Sequence, residues 1–72
     1  ASYQFFQSCL GQDTSFLVES IETTKDGMIV RGKTDHFAPI HLETTQEHVI
    51  GSVMRAHIIE ATPDGLKGKE IP

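Results

Sequence analysis

Phe16-Leu17-Val18-Glu19-Ser20-Ile21-Glu22, then Thr23-Thr24-Lys25-Asp26-Gly27, then Met28-Ile29-Val30-Arg31-Gly32-Lys33: this stretch decides the fold. Two runs rich in Val, Ile and Phe flank a Lys25-Asp26-Gly27 turn. Side chains of that kind suit a pleated surface, and Asp-Gly between such runs is a hairpin signal. In the second run the side-chain period of two puts Arg31 and Lys33 on one face, opposite Val30 and Gly32. A glycine inside a strand pattern marks a bulge, a bend or a close approach of another backbone.

The pattern repeats outward from this hairpin. Pro63-Asp64-Gly65 is a second turn, joining Ser52–Thr62 to Leu66–Glu70. Between Pro39 and Glu43, Ile40 and Leu42 share one face while His41 and Glu43 share the other. Further turn signals fall at Gly11-Gln12-Asp13, Ala38-Pro39 and His48–Ser52. Short strands at this spacing predict a small barrel or sandwich. Two segments stay open. Val49, Ile50, Val53, Met54, His57, Ile58 and Ala61 fall at helical spacing, with Thr45 as a cap. The same segment also reads as a strand, with Met54, Ala56 and Ile58 inward and Arg55 and His57 outward. Gly51 costs a helix ~1 kcal/mol relative to Ala and tilts the choice slightly toward strand. Residues 1–10, with Tyr3, Phe5 and Phe6, fit either a first strand or the tail of a helix.

Seventy-two residues leave room for one small core and no second domain. No apolar run approaches the ~20 residues of a membrane helix. The start has no basic n-region, so no secretory signal is read. With no initiator Met and an Ile71-Pro72 end, the chain reads as a piece of a longer protein. The single cysteine, Cys9, can form no internal disulfide and no thiolate zinc or iron–sulfur site. It reads as a small apolar residue beside the core, in a reducing, cytoplasmic setting.

The formal net charge is −4, which by itself argues against nucleic acid as partner. The charge is unevenly spread. Residues 1–24 hold three acids and no Lys or Arg, whereas Lys25, Arg31 and Lys33 outnumber Asp26 and Asp35 over residues 25–42. Catalytic constellations are missing. No two carboxylates are placed about a cleft, and the four histidines show no metal-ligand spacing. None of the serines has a nucleophile-elbow context. Gly27-Met28-Ile29-Val30-Arg31-Gly32-Lys33-Thr34 matches the P-loop formula, but a P-loop lies between a strand and a helix. Here the match is itself strand-like, and Pro39 blocks a long helix after it. ATP is therefore expected not to bind.

The most informative run is Val30 to Phe37. It places two cations, a hydroxyl, an imidazole and an aromatic within eight residues. Arg31 and Lys33 suit phosphates, Thr34 can donate to a phosphate oxygen, and Phe37 can stack on an unpaired base. The competing reading makes Phe37 a core residue and the cations solubilising.

Taken in order, several steps resemble the TRAM domain, the small RNA-binding β-barrel at the C-terminus of radical-SAM tRNA methylthiotransferases. Gly11 precedes Leu17-Val18-Glu19, like the family's glycine and "VLVE" strand. Gly32-Lys33-Thr34 matches its G-R/K-T step, and Asp35-His36-Phe37-Ala38-Pro39-Ile40 is similar to the segment that follows. Gly51 with Val53 to Ile58 resembles its G-x-V-x-V-x-I strand, and Leu66-Lys67-Gly68 its closing L-x-G. Thr34 to Ile40 looks most like the branch that methylthiolates threonylcarbamoyladenosine beside the anticodon.

The resemblance implies an all-β fold, a small antiparallel, OB-like β-barrel of about five strands, as one domain over residues 1–72. It implies strand for Ser52–Thr62. It implies tRNA binding through Arg31, Lys33 and Arg55 on phosphates, with Lys67 and Lys69 as outer contacts. Thr34 and His36 would hydrogen-bond to backbone or base, and Phe37 would stack. Catalysis would lie in the rest of the polypeptide, with iron–sulfur clusters and S-adenosylmethionine there and none here. The alternative expectation is a module that docks on the catalytic domain of the same polypeptide with little RNA contact.

Overall fold

A computed structural model describes residues 3–71. One short helix, α1 (Tyr3–Ser8), precedes five strands: β1 (Asp13–Thr24), β2 (Gly27–Thr34), β3 (Pro39–Thr44), β4 (Val53–Thr62) and β5 (Gly65–Glu70). The strands close into a barrel in the order β1-β2-β3-β5-β4. β4 lies beside β1, so the spatial order β4-β1-β2-β3 is a Greek key. β5 fills the remaining gap, giving a five-stranded Greek-key barrel of OB-like type.

Both turn signals in the sequence mark real hairpins. Lys25-Asp26 joins β1 to β2, with Thr24 opposite Gly27. Pro63-Asp64 joins β4 to β5, with Thr62 opposite Gly65. The P-loop match, Gly27 to Thr34, is the whole of β2 and forms no loop.

One pair departs from the antiparallel expectation: β3 and β5 run parallel, with Ile40, Leu42 and His41 opposite Leu66, Gly68 and Lys67. Parity is the reason. Alternating directions can close a ring only with an even number of strands. A ring of five must contain a parallel neighbour, and here it is the pair with the shortest ladder.

The two long strands bend to make the closure. β1 pairs with β4 over Asp13–Leu17 and with β2 over Phe16–Thr24. The register slips between Val18 and Ser20 in β1, and again between Ile58 and Glu60 in β4. Each extra residue increases local twist and turns the strand a corner. Gly32 lies opposite the β1 bulge. A Cβ there would overlap the backbone oxygen of Leu17 and sit 2.8 Å from the Phe16 ring. Of the three roles open to this glycine, close backbone approach is the one found.

Alternation fills the barrel. Phe16, Val18, Val30, Leu42 and Leu66 are its largest fully buried side chains. Met54, Ala56 and Ile58 point inward and Arg55 and His57 outward, which settles the ambiguous segment as strand. A helix would have buried Val49, Ile50 and Val53 as a stripe, yet all three are exposed. Gly51, at φ +92°, instead makes a turn before β4. Residues 3–8 are helical. Six residues cannot hold a helix unaided, and Phe6, buried in the core, pins α1 to the barrel. Cys9 packs half-buried against that core as a free thiol.

Candidate nucleic-acid interface

β2 carries the centre of the site. Because Val30, Gly32 and Thr34 are buried, Arg31 and Lys33 must face outward, and both are exposed. Their neighbours follow from the register. Arg31 stands opposite Ser20 on one side and His41 on the other, and His41 stands opposite Lys67. Arg31, His41 and Lys67 thus form one row across β2, β3 and β5, though they are 36 positions apart in sequence at the extremes. Lys33 stands opposite Pro39 in the next row.

A groove of about 400 Å³ runs over this face. Arg31, Lys33 and His41 line it, with Glu19 at one side and Asp64 of the β4–β5 turn at the other. Arg31 Nη1 lies 2.8 Å from Glu22 Oε1, with both side chains about half exposed. Exposed pairs of this kind contribute only about 0–1 kcal/mol, so the guanidinium is readily exchanged to another anion. Lys33 and Lys67 have no ion-pair partner among the described residues.

The groove ends at the loop between β2 and β3, since Lys33 and Pro39 both line it and bracket that loop. The loop is tightly stitched. Thr34 N–H donates to the Ala38 carbonyl at 3.0 Å, and Phe37 N–H to the Thr34 carbonyl at 2.9 Å. Thr34 Oγ1 accepts from the N–H groups of His36 and Ala38, each at 3.3 Å. Thr34 is buried, and its hydroxyl oxygen serves the loop. The His36 ring meets the Phe5 ring of α1 edge-on at 5.9 Å.

Phe37 is 79% exposed. Its φ is +61°, the single non-glycine in that region among the described residues. A bulky residue there carries strain of ~1–3 kcal/mol, and such strain clusters at functional sites. The core reading of Phe37 is therefore corrected: the stitched loop holds the ring out in solvent. An apolar ring in water gains nothing for the fold.

No family model matches the chain, and no curated protein matches it.

The remaining sequence candidates lie elsewhere on the barrel. Lys69 stands opposite His57, whose Nδ1–H donates to Asp13 Oδ1 at 2.6 Å. Lys69 lines a second hollow, of about 580 Å³, together with Lys25, Asp26, Glu43 and Glu70. Three carboxylates against two ammonium groups make that larger hollow unsuited to phosphate. Within it, Glu70 Oε1 accepts from Thr44 Oγ1 at 2.6 Å, and Glu70 Oε2 lies 2.9 Å from His48 Nε2 without hydrogen-bond alignment. Arg55 is exposed opposite Ser15 on the β1–β4 face. So Arg31 and Lys33 line the groove, Lys67 extends their row past His41, and Thr34, His36 and Phe37 form the loop at its end. Lys69, the next outward residue on β5, lines the second hollow, and Arg55 lies on the β1–β4 face.

His41 is the site residue that sequence reasoning left unassigned. Alternation in Pro39–Glu43 already put it outward. Its place between Arg31 and Lys67 needed the β3–β5 pairing, which no local pattern encodes.

Proposed function

We propose that this barrel is an RNA-binding accessory domain of TRAM type, which helps a radical-SAM methylthiotransferase hold tRNA for modification of an adenosine beside the anticodon. One observation carries the RNA reading: an exposed phenyl ring held on strained backbone at the end of a groove lined by Arg31, Lys33 and His41. Single-stranded nucleic acid is bound by that combination, cations tracking the phosphates and an aromatic face taking a base. In OB-type barrels the face of strands 2 and 3, with the 1–2 and 4–5 loops, is where oligonucleotides bind. The groove lies on that face, bordered by the 4–5 turn. The ordered resemblance to the TRAM pattern, from Gly11 to Gly68, supports the finer assignment.

In this reading Lys33, Lys67 and Arg31 contact phosphates, Arg31 after leaving Glu22. Phe37 stacks on an unpaired base, and His36 and His41 donate to backbone or base edges. Thr34 holds the loop. Arg55 and Lys69 stand as outer contacts for a longer RNA. The parent enzyme would use iron–sulfur clusters and S-adenosylmethionine. Cys9 is the one cysteine here, so these residues do not fit a cluster, and in this reading the domain's part is to hold substrate.

Titration of the 72-residue chain with unfractionated tRNA at low salt tests this. Weak binding is expected. Phe37→Ala should weaken it about tenfold, since base–aromatic stacking is worth ~1–3 kcal/mol. Absence of binding at low salt, or an Arg31→Ala/Lys33→Ala double variant that binds like wild type, would overturn the reading.

A further inference from the structure

A second surface adjoins the groove on the β1–β4 side. Leu17 in β1 stands opposite Val53 in β4, and both point outward. The turn before β4 is bonded to the residue beside Leu17: Gly51 N–H donates to the Val18 carbonyl at 2.8 Å, and Val18 N–H to the Ser52 carbonyl at 2.9 Å. That turn carries Val49 and Ile50. The three aliphatic side chains Val49, Ile50 and Val53 are 72%, 61% and 68% exposed. Isolated exposed aliphatics need no explanation, but several gathered at one place mark an interaction site.

The rim is cationic. Lys33 is the cross-strand partner of Leu17 on the β2 side, and Arg55 follows Val53 by two residues on the same outward face. Neither has an ion-pair partner among the described residues. Glu19, two residues along β1 from Leu17, is exposed on the same outward side and lines the groove together with Lys33. In a chain of net charge −4, two unpaired cations against the single carboxylate of Glu19 beside Leu17 reverse the overall sign at this patch.

We propose that this face docks a protein segment whose apolar side chains are flanked by carboxylates. Complementarity selects that occupant. Apolar side chains cover Leu17, Ile50 and Val53, while Asp or Glu meets Lys33 and Arg55, steering the encounter and fixing register. A second copy is the competing occupant, since a two-fold contact can set Lys33 or Arg55 against Glu19 of the other copy, and sedimentation separates it from a peptide partner. Bases gain little from aliphatic side chains, and an anionic bilayer would be repelled by the acidic remainder of the molecule. The surface shares Lys33 with the groove, but Ile50 and Val53 lie outside it, so variants at those two positions separate this proposal from the RNA reading.

Selection from a phage-displayed library of random linear peptides, without nucleic acid, tests it. Enriched peptides should combine apolar residues with Asp or Glu. Their binding should fall about tenfold in Val53→Ser, a loss of about 1.4 kcal/mol, more than most interface residues cost when truncated. Arg55→Glu should lose the acidic peptides selectively, and Ile50→Ser, in a turn outside the ladder, repeats the test should Val53→Ser fail thermal unfolding as a folded domain. No enrichment overturns the proposal. So do enriched basic peptides, binding unchanged in all three variants, self-association through the patch in sedimentation, or patch-dependent binding to phosphatidylcholine–phosphatidylserine vesicles.

Discussion

At the scale of single residues, Phe37 and Thr34 divide a task. Thr34 gives its hydroxyl oxygen to two backbone N–H groups and so closes the loop. Phe37 takes the left-handed conformation that the closed loop requires, and its ring packs on little. The strain should therefore be removable. Phe37→Asn, which suits that conformation, should raise stability by about 0.5–1 kcal/mol in chemical denaturation. The same variant should weaken RNA binding. A variant that unfolds more easily than wild type would show that the ring contributes packing after all. The aromatic was visible in the sequence as a candidate. Its exposure was not, because a phenylalanine between Thr34 and Pro39 is as compatible with the core as with solvent until the loop is closed.

At the scale of elements, α1 is the part whose existence is least local. Tyr3–Ser8 lacks acids in its first turn and bases in its last, and it is shorter than any helix stable alone in water. It is helical because Phe6 enters the barrel core, where α1 contacts β4 and β5. Phe6→Ala should cost about 3–5 kcal/mol, the usual range for removing a buried phenyl ring. For a domain this small that is a large share of the total, so the thermal midpoint should drop by about 12 °C or more (each kcal/mol moves it by roughly 4–8 °C). A shift of only a degree or two would mean that α1 docks without supporting the barrel. The hairpins are the opposite case. β1–β2 and β4–β5 were legible from Asp26-Gly27 and Pro63-Asp64-Gly65, because turn chemistry and alternation are both local. The strand assignment of Val53–Thr62 was half legible: the period-two reading was present in the sequence beside the helical one, and burial inside a barrel decided between them.

At the scale of the whole molecule, charge and closure matter most. The net charge of −4 opposes any polyanion at long range, so the proposed RNA binding would rest on the few cations that share a face. Arg31, Lys33 and Lys67 are three such groups. Single-stranded binding loses about 0.7 of a logarithmic unit per phosphate contact for each decade of salt. Three contacts predict a slope near −2 in a plot of log affinity against log salt. A measured slope steeper than about −4 would require Lys25, Arg55 and Lys69 as well, and would move the interface off the groove. Closure also creates the groove row itself. His41 and Lys67 become neighbours only because five strands force a parallel pair between β3 and β5.

The chain's own pattern of turns and alternation fixed β1, β2, β3 and β5, their inward and outward faces, and the candidacy of the cations and Phe37, since each of these depends on residues a few positions apart. β4 was chosen over a helix by burial in the barrel. The order of strands around the barrel, the parallel pair, the exposure of Phe37, the separation of Lys67 from Lys69 and the apolar face at Leu17 and Val53 came from folding. Each depends on which strand lies beside which, and that is settled by the global demand to bury one shared core with no open edge.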